Sequence, residues 1–308
     1  MAISLVDFIS QTTDVKRAGL VQIITNKSQL MPRLKWIMVD GFAYSYNRQQ
    51  TTGGIAFRGL NEDYGSDVGV VNPLVEQLAI FGGKVQTDRQ IVNKQGDIAR
   101  ANAIAGKVKR SSLFFDKYCI QGDPANDPRQ FYGLNARLTG RQYMTCGTNG
   151  GALSLDILDA MLDRVIGGNN EGKVIVCNKA CRRTITDLLR ATASGTRIAE
   201  IQAQAPTYDG VPIVILDEDG DDQPILTENE TMGSSNATTS LYVLKLGDDT
   251  DGEYVQGLLG SQMIEHVQVG LLGTYYVDII EANVGIAIFH PRAAGRIAGI
   301  IPNNASLA

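Results

Sequence analysis

Residues 42–91 constrain the fold of this chain more than any other segment. They carry strand-like stretches and Gly-rich or polar turns but no clear helix, and a helix-type pattern follows at 94–119. Phe42-Ala43-Tyr44-Ser45-Tyr46 alternates with the period of a strand, and Val85-Gln86-Thr87-Asp88-Arg89-Gln90-Ile91 reads as its return. Between them Asn47-Arg48-Gln49-Gln50-Thr51-Thr52-Gly53-Gly54 has no large apolar side chain. A two-stranded arm is marginally stable by itself, and a long excursion without its own core is usually functional or disordered. An ordered arm of this kind is expected to lie on another protein surface. That points to assembly before catalysis.

Composition excludes several alternatives. The chain has 308 residues, 44% of them hydrophobic and 20% charged, as in ordinary globular proteins. No apolar run approaches the ~20 residues that cross a bilayer, so no membrane partner is expected. Met1-Ala2-Ile3-Ser4-Leu5-Val6-Asp7 lacks the basic start and apolar core of a signal peptide. Cytoplasmic synthesis is the expectation, with Cys119, Cys146, Cys177 and Cys181 as free thiols. Two histidines, His266 and His290, leave little material for zinc or His-based catalysis. Charge is uneven. Residues 84–117 carry eight Lys/Arg against three Asp/Glu, and residues 209–253 one Lys against twelve Asp/Glu. Such asymmetry suggests two faces in different electrostatic surroundings, or simply solvated faces.

Along the chain, 1–41 reads as an arm with short helices, and Leu34–Val39 as an extended run into the hairpin. Asn72-Pro73 could open a helix, but extended structure through Phe81 is preferred, with Gly82-Gly83 as a bulge or bend. Ile98, Ala101, Ala105, Val108, Ser112, Phe115 and Cys119 form the inward stripe of the long helix. Residues 150–247 form an α/β block. It has a helix after the cap Ser154, a buried strand at 173–177, and a second helix at 180–193. An edge or early strand follows at 211–216, then a polar loop at 227–239 and a last strand at 241–246. Two strands, 274–280 and 284–289, follow, and 291–300 is expected to end in a short helix.

Three motifs invite chemistry. Gly167-Gly168-Asn169-Asn170-Glu171-Gly172-Lys173 has the spacing of a phosphate loop, but Val174 replaces the Ser/Thr. It also runs from helix to strand, so carbonyls would face the phosphate; a glycine helix stop fits better. Asp217, Asp219, Asp221 and Glu228 mimic a calcium loop, but Asp222 stands where glycine is needed. A solvated acidic loop is the simpler reading. The basic helix lacks interleaved aromatics, so nonspecific phosphate contact is plausible and base reading is not.

The order of parts resembles the major capsid protein of tailed bacteriophages, the Hong Kong 97 fold. The resemblance rests on Phe115-Asp116-Lys117-Tyr118 running into Gly122-Asp123 and Phe131-Tyr132-Gly133-Leu134. Val284-Gly285-Ile286-Ala287-Ile288-Phe289-His290-Pro291-Arg292-Ala293 adds to it, as does Tyr44-Ser45-Tyr46-Asn47-Arg48 with Val71-Asn72-Pro73. It implies an α+β chain divided into an N-terminal arm (1–41), an extended E-loop (42–91) and a P-domain with its spine helix (92–140). An α/β A-domain (141–253), long P-domain return strands (254–292) and an A-domain C-terminus (293–308) complete it. It implies no cofactor and no catalytic or metal site. Tyr44, Tyr46, Arg48, Phe57 and Arg58 would touch neighbouring subunits, and Lys16, Arg17, Lys107, Lys109 and Arg110 would face packaged double-stranded DNA. Some relatives crosslink through an E-loop lysine; none occurs between Lys35 and Lys84, so locking is expected to be noncovalent. Only about forty residues precede the hairpin, which implies a separate scaffolding protein beside the portal. The expected function is an icosahedral head-shell subunit forming hexamers and pentamers. An encapsulin-like cargo shell is the alternative, and a nucleotide-dependent enzyme a remote one.

Overall fold

The computed structural model describes residues 23, 27–51, 54–65, 69–191, 207–219, 221, 223–247, 254–260 and 264–302. The apolar run ahead of the hairpin forms a short strand, β1 (Trp36–Met38). The hairpin then pairs β2 (Ala43–Thr51) with β3 (Val70–Gln77), antiparallel from Ala43↔Gln77 to Thr51↔Val70. Its return strand is therefore 70–77, not the expected 85–91. Pro73 sits opposite Asn47 in this ribbon, where a missing N–H is tolerated because both strands are edges. The next strand, β4 (Ala79–Asp88), leaves the hairpin and pairs instead with residues 275–284. Gly82 and Gly83 lie there in unbroken register, not in a bulge. Close approach explains them: a Cβ at Gly82 would stand 2.2 Å from the Ile280 carbonyl oxygen, and one at Gly83 2.2 Å from the Lys107 side chain.

The helical pattern resolves into α1 (Arg89–Gln95) and α2 (Asp97–Gln121). Gly96 separates them at φ +73°, a left-handed conformation that favours glycine, and its N–H closes α1 on the Val92 carbonyl at 2.7 Å. Ile91, expected in a strand, is helical. The expected inward stripe of α2 holds only in its second half. Val108, Ser112, Phe115 and Cys119 are buried together with Asp116 and Ile120, whereas Ile98 is 70% exposed. The first half is held by charge instead. Arg100 donates to both carboxylate oxygens of the fully buried Asp278, at 2.6 and 2.7 Å.

The central block begins with α3 (Leu134–Arg137) and β5 (Tyr143–Thr145). Helix α4 (Leu155–Arg164) starts where the Ser154 hydroxyl accepts the Ile157 N–H at 3.2 Å, a standard N-cap. Strand β6 (Lys173–Cys177) is buried throughout, and α5 (Lys179–Ala191) follows it. Then come β7 (Thr207–Tyr208), β8 (Val211–Ile215), β9 (Glu230–Met232) and β10 (Ser235–Lys245). The expected polar loop at 227–239 is thus largely a hairpin of β9 and the start of β10. Its threonines hid the strand: Thr238 and Thr239 are fully buried, and the Thr238 hydroxyl donates to the Glu230 carbonyl at 2.8 Å.

The last strands are β11 (Val255–Leu259), β12 (Glu265–Leu272), β13 (Tyr275–Ile288) and β14 (Ala294–Ile300). The two strands expected at 274–280 and 284–289 are one continuous β13. The short helix expected at 291–300 is instead strand β14, deep in the second sheet. Its small residues admit α4, since a Cβ on Gly295 would lie 2.3 Å from the Met161 sulfur. One sheet runs β1-β11-β13-β12 with β4 also on β13; the other runs β5-β14-β10-β6-β8-β7 with β9 on β10.

Side chains alternate across strands, so the second sheet feeds two cores. Val174, Val176, Tyr242 and Leu244 join the core that contains Phe115, Cys119 and Trp36. Ile175, Cys177, Leu241 and Val243 join Leu158, Met161, Cys181 and Ile185 of α4 and α5. This is why β6 reads as a continuous apolar run: both of its faces are covered.

Asp116 fastens the chain ahead of β1 to α2. It accepts the Ser28 hydroxyl at 2.6 Å and the Gln29 N–H at 3.0 Å, and the Ser28 hydroxyl in turn accepts the Met31 N–H at 2.9 Å. Burial pushes its carboxyl up from the ordinary 3.8 to about 7, against the hydrogen bonds that favour the charge. The folded chain therefore holds a proton that the unfolded chain has lost between those values. The stability from this group falls as pH rises from about 4 to about 7, by on the order of 4 kcal/mol. Asp116→Asn should flatten that part of the profile, measured by thermal denaturation across pH. Parallel profiles for the two proteins would sink the assignment.

Candidate functional site

The hairpin is anchored at its base and bare at its tip. Tyr46 packs on Phe289 at a ring distance of 4.7 Å, and Tyr44 meets the same ring edge-on at 6.1 Å. The Tyr46 hydroxyl donates to the Ile288 carbonyl at 3.1 Å and lies 3.2 Å from Glu76 Oε1. Burial and the neighbouring Glu76 charge push this phenol up to about 12. Glu76 in turn takes two hydrogen bonds from the Arg137 guanidinium, at 2.7 and 2.6 Å. The pair is largely covered, with 11% and 15% of the side chains exposed. A buried carboxylate on an otherwise exposed strand requires such a partner.

The tip has no comparable cover. Ile55, Phe57 and Leu60 are as exposed as in an open chain, at 101%, 107% and 98%, and Tyr64 is 62% exposed. Its local order is polar. Arg58 donates to the Glu62 carbonyl at 2.9 Å and stands 5.5 Å from the Tyr64 ring centre, while Glu62 accepts the Gly59 N–H at 2.8 Å. Large apolar side chains gathered on an exposed segment mark an interaction surface. A second exposed set lies on β12 and the start of β13, with Val269, Leu271, Leu272 and Tyr275 between 44% and 60% exposed.

The residues singled out by sequence divide accordingly. Tyr44 and Tyr46 are committed in part to the chain's own Phe289, Arg48 is half-exposed, and Phe57 and Arg58 lie on the exposed tip. Lys16 and Arg17 lie outside the described residues. Lys107 lies across Gly83 on the β4 side of α2, whereas Lys109 lines a cavity on another side; two residues apart on a helix is a turn of about 200°. Arg110 is already ion-paired with Asp221.

The two ligand-like motifs are occupied by the protein itself. The buried Lys173 ammonium donates to the Leu162 carbonyl at 2.8 Å and to Asn170 Oδ1 at 3.0 Å, closing the C-terminal end of α4. Asp217 pairs with Lys179 at 2.5 Å and Asp219 with Lys117 at 2.6 Å. Among the described residues, no group of three or more His, Cys, Asp or Glu converges as a metal site. Sequence reasoning missed the Glu76–Arg137 pair and the meeting of Arg100, His266 and Asp278, where His266 Nε2 lies 3.0 Å from the carboxylate. Burial would raise the Asp278 carboxyl, but hydrogen bonds from Arg100 and His266 outweigh it and hold it below the usual range. The legible signal was an acid, Asp278, within the apolar run of β13.

No protein-family model and no curated protein sequence matches the chain. Solved structures do match. The holo-SrpI encapsulin complex from Synechococcus elongatus PCC 7942 aligns with a TM-score of 0.65 at 14% identity, covering 88% of each chain. The capsid of an empty GTA particle aligns with a TM-score of 0.65 at 11% identity, over 89% of this chain and 90% of that one. Each of these alignments spans close to nine-tenths of the chain. The chain has the Hong Kong 97 capsid fold. A cyanophage A-1(L) capsid subunit aligns at TM-score 0.58 and 14% identity, over 94% of this chain and 95% of that one. In the vocabulary of the Hong Kong 97 fold, β2–β3 is the extended loop and α2 the spine helix.

The base anchor is testable apart from assembly. Arg137→Ala leaves the Glu76 carboxylate buried without its cation and should lower unfolding stability by about 3 kcal/mol. Limited proteolysis should then cut the extended loop faster, because Tyr46 loses its fixed partner. Unchanged stability and cleavage would show that the pair does not hold the loop.

Proposed function

We propose that this chain is a major capsid subunit of a tailed bacteriophage, which assembles with copies of itself into an icosahedral head shell around double-stranded DNA. The observation that carries the reading is the extended loop: a rigid base, then a tip whose apolar side chains have nothing to cover them in one subunit. A neighbouring copy is the natural cover, and closed symmetry repeats each modest contact many times. The fold likeness to phage and GTA capsids supports a shell. The division into arm, extended loop, P-domain and A-domain is proposed on the same basis, with the loop ending at β3 rather than at 91, because β4 pairs with β13. Further proposals are hexamers and pentamers, a separate scaffolding protein, a portal, noncovalent locking, no catalytic activity, and assembly in the host cytoplasm. An encapsulin-like cargo shell is the second reading, favoured by the equal TM-score of the encapsulin complex.

Negative-stain microscopy of the purified protein should show closed shells, and the nucleic-acid content of shells from the native source separates genome from protein cargo. Removing residues 47–69 leaves 70–73 as a short loop between the paired Tyr46 and Leu74. That variant should fold with near-native stability yet form no closed shells. Phe57→Asp should weaken assembly with a melting temperature within about 2 °C of the parent, as expected for a surface substitution. Normal shells from both variants would defeat the reading.

A further inference from the structure

A cavity of about 1050 Å³ opens between the 27–33 segment, one side of α2, the start of α5 and β8. Its charges are unevenly used. Of its cations, Lys179 and Arg110 are already paired with Asp217 and Asp221. Lys27, Arg33, Lys109, Arg182 and Arg183, from three separate segments, have no carboxylate partner among the described residues. Most of the lining carboxylates are spoken for: Asp217 and Asp219 by lysines, Asp116 by Ser28 and Gln29. Glu218 alone is left to oppose the five cations. The Arg182 Nε is fully buried and has no acceptor among the described residues. A buried guanidinium N–H without an acceptor is costly; Lys27, Arg33, Lys109 and Arg183 are exposed, and an anion from outside can meet the excess positive charge there.

We propose that this cavity holds the phosphodiester backbone of nucleic acid. The inference rests on the shell reading above and names where the enclosed polymer is gripped. Planar guanidinium forks suit phosphate oxygens. Of the apolar lining, Val214, Leu216 and Ile225 are at most 2% exposed while Leu113 and Ile215 are partly exposed, and among the described residues no aromatic side chain lines the cavity. Binding therefore has no stacking platform for bases, and the cations outnumber the apolar groups open to the cavity. It depends on charge, reads no sequence, and releases counterions from the polymer. Of the basic residues expected on α2, Lys109 belongs to this site, Arg110 serves mainly to hold the acidic rim, and Lys107 lies outside it.

The test uses the full chain and a fluorescein-labelled DNA duplex, read by anisotropy over a salt series. Lys109→Glu with Arg183→Glu changes two exposed positions. It should weaken binding at least ~10-fold at low salt and reduce the slope of log affinity against log salt by about 2. Arg89→Glu with Lys94→Glu makes the same charge change on α1, outside the cavity, and should shift affinity less than about twofold. Equal losses in the two variants, an unchanged slope, or equally tight site-dependent binding of a polyglutamate peptide would overturn the assignment. Microscopy separates this from the shell reading. If the parent forms shells and the cavity variant still binds DNA as tightly, only the cavity assignment falls. If the parent forms no shells under any condition, the shell reading falls first.

Discussion

Both sheets of this chain are arranged around one helix that has to serve them. The second half of α2 buries Val108, Phe115, Cys119 and Ile120, and the same core takes Trp36 and Ile280 of one sheet and Val174, Val176 and Tyr242 of the other. A helix stripe can be shared this way only if the helix is long and its buried face continuous. Removing that shared core would leave each sheet with one uncovered face. The Trp36–Phe115 ring contact at 5.4 Å joins the helix to the first sheet, and Phe115–Phe131 at 6.0 Å joins it to the loop that follows.

Charge sets the position of what packing leaves loose. The exposed first half of α2 is tied down by Arg100 on Asp278, and the acidic segment after β8 is tied to α2 by Lys117–Asp219 and Arg110–Asp221. The opposite charges of residues 84–117 and 209–253 thus meet partly within the subunit. That meeting uses Arg110 and Lys117 of the positive helix and leaves Lys109 open to the cavity beside α5. Exposed pairs such as Arg110–Asp221 add little stability; their larger effect is to decide which cations remain free.

The extended loop shows a division of labour between its base and its tip. Its base is fastened by a covered ion pair and packed rings, so its direction is defined within the single chain. Its tip keeps Ile55, Phe57 and Leu60 in water, where each unburied side chain forgoes roughly 1.5–3 kcal/mol. A fixed stem with an unsatisfied end suits a contact that forms only on assembly, because the ordering cost of the stem is met before the partner arrives.

Much of this was legible from residues alone. The Ser154 cap, the buried strand at 173–177 and the inward stripe from Val108 to Cys119 follow from local periodicity and capping chemistry, and each stands in the structure. So did the absence of a core beneath the hairpin tip. What residues could not reveal were long-range pairings. The return strand is 70–77 because β4 finds β13, nearly two hundred residues away. Residues 294–300 are a strand because they lie between β10 and β5, although their small side chains suggest no strand at all. The Glu76–Arg137 and Arg100–Asp278 pairs have the same origin. Local sequence determines which face of an element is apolar and where it can start or stop. Only tertiary structure decides its partner, since hydrogen-bonded edges and buried charges are satisfied by whatever the fold brings beside them.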